Sequence, residues 1–215
     1  KEAGVCFEQT AKLDPDDDFA RRYARASVDI DAKRYTVEDY MIMLGLQREG
    51  DFKAQRSLLE SLTKRAPKFF DAWLMLGEVS YLLSMHEDAL EAYTHALELG
   101  PDNLASLYGA GFSALYLGKF DIALKHWDNL NALKPDYKGT ARWRRIVGSA
   151  KAKEGSARKK AIMFWLGGST PTDSASTRLD NLEKAVAADP TFSEAAIDLA
   201  RLLREEAPKN PERGP

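Results

Sequence analysis

Apolar side chains recur at helical spacing along most of the 215-residue chain. In Phe70–Leu83, Trp73, Leu76, Gly77 and Ser80 fall at offsets of 3, 4 and 7 and mark one helical face. Glu87–Leu99 carries Ala89, Tyr93 and Ala96 as the inner face of a second helix. Gly100-Pro101 ends it, because proline lacks the amide hydrogen a helix needs and disfavours helical conformation in the residue before it. The pattern then returns after 34 residues: Trp73, Leu76, Gly77, Ala89, Tyr93, Ala96 and Pro101 give way to Leu107, Ala110, Gly111, Ala123, Trp127, Leu130 and Pro135. Gly118 marks the turn within the second copy. Glycine in a helix costs about 1 kcal/mol against alanine, so Gly77 and Gly111 are expected where a neighbouring helix comes close. One helix pair cannot bury its own apolar face, so neighbours must stack.

The flanks follow the pattern more loosely. Lys1–Leu13 reads as a lone second helix with Ala3, Phe7 and Thr10 on its face, closed by Asp14-Pro15. Its missing partner leads to the expectation that a parent protein extends further in the N-terminal direction. Asp16–Ala32 reads as a helix with Phe19, Tyr23 and Ala26 on one side, Tyr35-Thr36 opens a helix through Leu46, and Phe52–Arg65 is a helix closed by Ala66-Pro67. Pro15 and Pro67 are 52 residues apart, eighteen more than one repeat, which is about one extra helix. Trp143, Ile146, Val147 and Ala150 restore a first-helix face, two residues late after Pro135. Ala157–Leu166, a Gly167-Gly168 break, a polar loop at Ser169–Ser176 and a second helix at Leu179–Ala188 follow, closed by Asp189-Pro190. Glu194–Glu206 is the last helix, and Pro208–Pro215 is expected to be a disordered tail.

A 34-residue period with these residues resembles the tetratricopeptide repeat family. The resemblance implies an all-α solenoid of helical hairpins wound as a right-handed superhelix. Its regular repeats would be 70–103 and 104–137, with irregular helical segments at 1–69 and 138–207 and a tail at 208–215. It also implies a non-catalytic scaffold or adaptor that binds a protein or peptide partner, with first-helix positions lining a concave groove. On this chain those positions are Tyr40, Leu44, Leu74, Glu78, Tyr81, Tyr108, Phe112 and Tyr116, an aromatic and apolar lining with an acidic spot. Tyr108, Phe112 and Tyr116 are four apart, so one helical face presents all three rings. The family's carboxylate-clamp subclass needs lysine and asparagine at set groove positions. Tyr40, Leu44, Met75, Ala105 and Gly109 stand there instead, which argues against a chaperone-tail receptor. The groove would receive an amphipathic helix or extended segment, or be filled by one of the chain's own helices.

Charge adds a second feature. The chain is 30% charged with net charge −2, a balance against an overall nucleic-acid binder. Yet nine basic residues lie between Lys138 and Lys160 against one acid, Glu154. Arg142, Arg144, Arg145, Lys151, Lys153, Arg158, Lys159 and Lys160 form a local field that could steer an acidic partner. The alternatives are a solvated helix face, an anion or nucleic-acid binding module centred on 138–160, and contact with a lipid surface. An accessory part of a larger enzyme also stays open.

Catalytic and cofactor chemistry is not called for. His86-Glu87 is followed by Leu90 where a zinc-binding helix would place its second histidine. Asp14, Asp16 and Asp18 resemble the start of a calcium loop, but Phe19 and Arg25 occupy the positions of its glycine and bidentate glutamate. Gly109 and Gly111 lie inside a helix with no preceding strand, as packing glycines rather than a phosphate loop. Cys6 is single, which excludes an internal disulfide framework. The apolar runs are shorter than the roughly 20 residues of a membrane span. No signal-peptide pattern is visible. The compartment stays open, with a soluble, cytoplasmic location ranked ahead of a secreted one.

Overall fold

The computed structural model describes residues 9–10, 12–13, 18–46, 50–152, 156–169 and 173–206. The expected helix at 1–13 and the tail at 208–215 lie wholly or largely outside these. Among the described residues there is no strand. The α-helices are α1 (Asp18–Asp31), α2 (Val37–Leu46), α3 (Phe52–Arg65), α4 (Phe70–Leu82), α5 (His86–Leu99), α6 (Leu104–Tyr116), α7 (Phe120–Leu133), α8 (Thr140–Ala152), α9 (Ser156–Gly168), α10 (Ala175–Ala188) and α11 (Ser193–Glu206). They form two compact units, Lys1–Ser113 and Ala114–Pro215.

Helix ends follow local chemistry. The expected start of α2 at Tyr35-Thr36 falls at Val37, because Thr36 caps it. The Thr36 hydroxyl accepts from the Asp39 amide at 3.1 Å, and the Thr36 amide donates to the Asp39 carboxylate at 3.0 Å. Burial alone would raise the Asp39 pKa, but the Thr36 and Arg65 hydrogen bonds outweigh it and hold the group below its ordinary value. Asp51 caps α3 by accepting from the Lys53 and Ala54 amides at 2.9 and 3.1 Å. The turns α4–α5 and α6–α7 are built alike. Ser84 (φ 60°) and Gly118 (φ 68°) take the left-handed conformation 34 residues apart. In each turn the next amide, Met85 or Lys119, reaches back to Ser80 or Ala114 at 2.9 or 2.8 Å.

In the first unit, Tyr35, Tyr40 and Phe69 anchor the core beneath α2–α4, and the Tyr35 and Phe69 rings stack at 3.7 Å. A second cluster joins Phe70, Leu74, Ala89, Tyr93, Ala96 and Ala110. Tyr93 is its centre. A β-carbon at Gly77 would lie 2.7 Å from the Tyr93 ring, and one at Gly109 would lie closer still. The two glycines, on α4 and α6, thus leave room for one tyrosine of α5. Burial pushes the Tyr93 phenol well above its ordinary pKa, and the nearby Glu78 adds to the effect.

In the second unit, Trp127, Leu130, Val147, Ile162, Leu182 and Phe192 are fully buried. The two-residue delay after Pro135 has a visible cause: a 3-10 turn at Tyr137–Gly139, entered through a left-handed Asp136 (φ 51°). The Asp136 carboxylate accepts from the Ala141 amide at 3.0 Å and seats the start of α8. The Gly167-Gly168 break expected after Leu166 is absent: both glycines stay in the last turn of α9. A β-carbon at Gly168 would meet Leu182 at 2.6 Å, so here too glycine permits close helix packing. The loop is correspondingly shorter than expected, and α10 begins at Ala175 under the Ser174 cap rather than at Leu179. α9 and α10 are the antiparallel hairpin of this unit. α8, expected as the first helix of that repeat, packs on α7 and is the extra element behind the 55-residue spacing.

Candidate functional site

The expected groove residues differ in burial. Tyr40 is 6% exposed, edge-on to Tyr23 at 5.8 Å and beside Phe69 at 6.2 Å. Leu74 is 4% exposed in the Tyr93 cluster, and Leu44 is half-buried against the α2–α4 core. Glu78 is exposed. Tyr81 is half-buried with its ring 5.5 Å from His86. Burial holds the His86 pKa below its ordinary value. On α6, Tyr108 and Tyr116 are half-buried, Phe112 is 8% exposed, and the Tyr108 and Phe112 rings meet at 4.7 Å. The structure thus brings Tyr108 and Phe112 together and leaves Glu78, Tyr81, Tyr108 and Tyr116 with open surface. Tyr40 and Leu74 point into the chain's own core, because helices as apolar as α2 and α4 bury more than one face.

The basic block divides in the same way. Arg158 turns inward: its Nε donates to Asp189 at 2.6 Å, its Nη2 donates to Thr191 at 2.9 Å, and its guanidinium lies 4.9 Å from the Phe192 ring. Arg144 donates to Asp128 at 2.8 Å, and Arg145 stands 3.9 Å from Glu194. Arg142, Lys159 and Lys160 are exposed, with Lys159 over the Phe120 ring at 5.9 Å. The Lys151 side chain and Lys153 lie outside the described residues.

One site was not anticipated. A cleft of about 580 Å³ in the first unit is lined by Arg25, Val28, Asp29 and Arg34 of α1 and its following turn, by Lys68 and Phe70, and by Glu98 and Leu99 of α5. The Arg25 guanidinium lies over the Phe70 ring at 4.1 Å, and Arg34 donates to Asp29 at 2.6 Å. Trp73 organises the rim. Its indole N–H donates to the Pro67 carbonyl at 2.9 Å, holding the turn that carries Lys68. Its ring packs on His95 at 4.4 Å, whose Nδ1–H donates to Glu98 at 3.0 Å. Sequence reading missed the cleft because its residues come from three separated segments. The one signal available was Trp73 itself, a large side chain at the edge of a face otherwise made of small and aliphatic residues.

Among the described residues no group of three or more histidine, cysteine or acidic side chains could hold a metal. No helix among them is long and apolar enough to cross a membrane.

Helical hairpins repeating every 34 residues, with matched turns and a ring held between glycines, define a helical repeat protein. Residues 40–103 match the family model of the tetratricopeptide repeat, and the chain carries repeats of that family. It is 33% identical over 107 residues to a peroxisomal targeting signal receptor of Komagataella phaffii, covering 48% of this chain and 18% of the receptor. It is 29% identical over 79 residues to superkiller complex protein 3 of Homo sapiens, covering 37% of this chain and 5% of that protein. The chain therefore spans less than a fifth of the length of these relatives. Among solved structures, YrrB, described as a tetratricopeptide-repeat protein with an unusual peptide-binding site, aligns at 14% identity. That alignment has a TM-score of 0.46 and covers 80% of this chain and 95% of YrrB. The fold is that of a protein-interaction scaffold.

Proposed function

We propose that the chain is a non-catalytic interaction module that holds an amphipathic helix or extended segment against the Glu78, Tyr81 and Tyr108 surface. The observation that carries this reading is the aromatic row of α6. Leu107, Ala110 and Ala114 already bury the stacking face, yet Tyr108 and Tyr116 on the same helix keep open surface. Half-buried tyrosines offer apolar area with a polar tip, which suits peptide contacts. The relative named as a receptor for a targeting signal supports a ligand of peptide kind. Arg142, Lys159 and Lys160 would speed encounter with an acidic partner.

The test is a photo-cross-linking residue at position 108 of the full chain, used in a cell extract, with the cross-linked partner then assayed against variants. Tyr108→Ala should weaken its binding by about 1–2 kcal/mol with little loss of stability. Equal binding by wild type and Tyr108→Ala would remove the groove from consideration. Phe112→Ala is expected to act differently, costing roughly 3–5 kcal/mol of stability as a buried phenylalanine does. The rival reading, anion binding at 138–160, requires affinity that falls steeply with salt; apolar groove binding should respond little.

A further inference from the structure

We propose that the cleft among α1, the α3–α4 turn and α5 is a separate binding site for a peptide carboxylate flanked by an aliphatic side chain. The inference does not rest on the groove, and none of the groove residues lines the cleft.

Arg25 is the central group. Its guanidinium carbon lies over the Phe70 ring at 4.1 Å, which holds the group at the cleft while its N–H donors can serve a bidentate acceptor. Among the described residues no carboxylate pairs with it directly, because Asp29 is engaged by Arg34. Lys68 is also without an ion pair among the described residues, and the Trp73 hydrogen bond to Pro67 fixes the turn from which it reaches the cleft. Two cations without an ion pair among the described residues therefore line one concavity, one of them resting on the Phe70 ring.

The charge of the lining selects the ligand. Arg25, Arg34 and Lys68 face Asp29 and Glu98, so the wall carries one net positive charge. A single negative charge balances it. A phosphate dianion would bring excess charge against two carboxylates. Burial raises the Asp29 pKa despite the pull of Arg34 and Arg25, which marks the inner wall as poorly solvated and strengthens charge selection there. The remaining wall is aliphatic and partly open: Val28 is 48% exposed and Leu99 is 39% exposed. These would take up the apolar neighbour of the carboxylate. A volume of about 580 Å³ lies within the ~300–1,000 Å³ range of ligand sites.

Gly100 supplies an independent sign that the stack needs space. Its backbone (φ −151°, ψ 83°) is open to any residue, so conformation does not require glycine. A β-carbon there, however, would lie 3.1 Å from the Phe70 ring and 3.4 Å from Arg25 Nη2. Glycine leaves the Phe70–Arg25 pair in place.

The experiment uses four probes: an acetylated, amidated hexapeptide containing one Leu-Glu pair, its Leu-Gln counterpart, a peptide without acidic residues ending in a free C-terminal leucine, and inorganic phosphate. Binding is followed on the full chain by calorimetry and by the Arg25 Nε and Trp73 Nε1 resonances. The expected result is saturable binding of the Glu peptide, the free-terminus peptide or both, which tells a side-chain from a terminal carboxylate. The Gln peptide should bind at least about tenfold more weakly, as loss of a charge-assisted bidentate pair implies. Arg25→Gln should lose a similar factor, and Arg25→Lys should not restore it. Gly100→Ala should weaken binding while leaving the helical spectrum unchanged, and Tyr108→Ala should have no effect. Absence of binding by either carboxylate peptide at millimolar concentration, equal binding of the Glu and Gln peptides, indifference to Arg25→Gln, or tighter binding of phosphate would each overturn the proposal.

Discussion

The hairpins α4–α5 and α9–α10 have the same architecture and are held by different chemistry. In α4–α5 a single aromatic ring, Tyr93, lies against Gly77, with Gly109 of the next helix on the ring as well. In α9–α10, Gly168 admits Leu182, and the exit from the hairpin is closed by a buried ion pair, Arg158–Asp189, whose side chains are 8% and 11% exposed. Thr191 completes that pair by donating its hydroxyl and amide to Asp189 at 2.6 and 2.9 Å. One helical hairpin can thus be registered mainly by shape or by a desolvated charge pair. The two should fail under different conditions.

The largest expected effect comes from breaking the pair. Arg158→Ala should destabilise the chain by roughly 3–5 kcal/mol, because Asp189 is left charged and desolvated. Arg158→Met with Asp189→Leu should recover much of this loss, which chemical denaturation of both variants would show. Next come the shape contacts: Gly77→Ala and Gly109→Ala should each cost about 1–3 kcal/mol by overpacking Tyr93. Wild-type melting of either variant would mean that the ring moves aside freely.

Acid should separate the regions. The Thr191 hydroxyl, followed by the Thr191 amide and Arg158, holds the Asp189 carboxyl at about 2 against the opposing effect of burial. A depressed folded-state pKa contributes stability that is complete above the unfolded value near ~3.9. That contribution is lost as pH falls through the folded value, and amounts to about 2 kcal/mol. Hydrogen exchange between pH 5 and pH 2 should therefore show amides of α9–α11 losing protection from this source. Tyr93 is seated by close contact with Gly77 and Gly109, so those contacts should respond less to acid. The smallest effect is expected at the matched turns. Ser84 occupies the left-handed position that Gly118 fills in the next repeat. Ser84→Gly should stabilise by up to about 1 kcal/mol, since glycine adopts that conformation without the steric cost of a β-carbon. Gly118→Ser should destabilise by a similar amount.

Much of this was readable from the chain before any coordinates. The bounds expected for α4 and α5 agree with the structure within a residue or two, because each helix has its own periodic face and Gly100-Pro101 stops the second. The close approach at Gly77 was also legible, since a glycine on an apolar helical face has few other uses. Gly167-Gly168 misled, because a glycine pair signals a helix end as well as close packing, and only Leu182 across the interface distinguishes the two. The same limit applies to the candidate sites. The family resemblance listed Tyr40 beside Tyr108 on equal terms, although one lies in the core and the other keeps open surface.

The sequence by itself determined the helices, their period and the repeat class, because those follow from contacts within some 34 residues. The tertiary structure alone decided which charges remain available. Arg158 and Lys159 are neighbours in the chain, yet one is buried against Asp189, 31 residues away, and the other is exposed. Arg25, which the chain presents as one more charge on a polar helix face, gains its seat over an aromatic ring only from Phe70, 45 residues on. A helix face is set by spacing, but whether a charge on it is neutralised, stacked or free depends on what folding brings across from another segment.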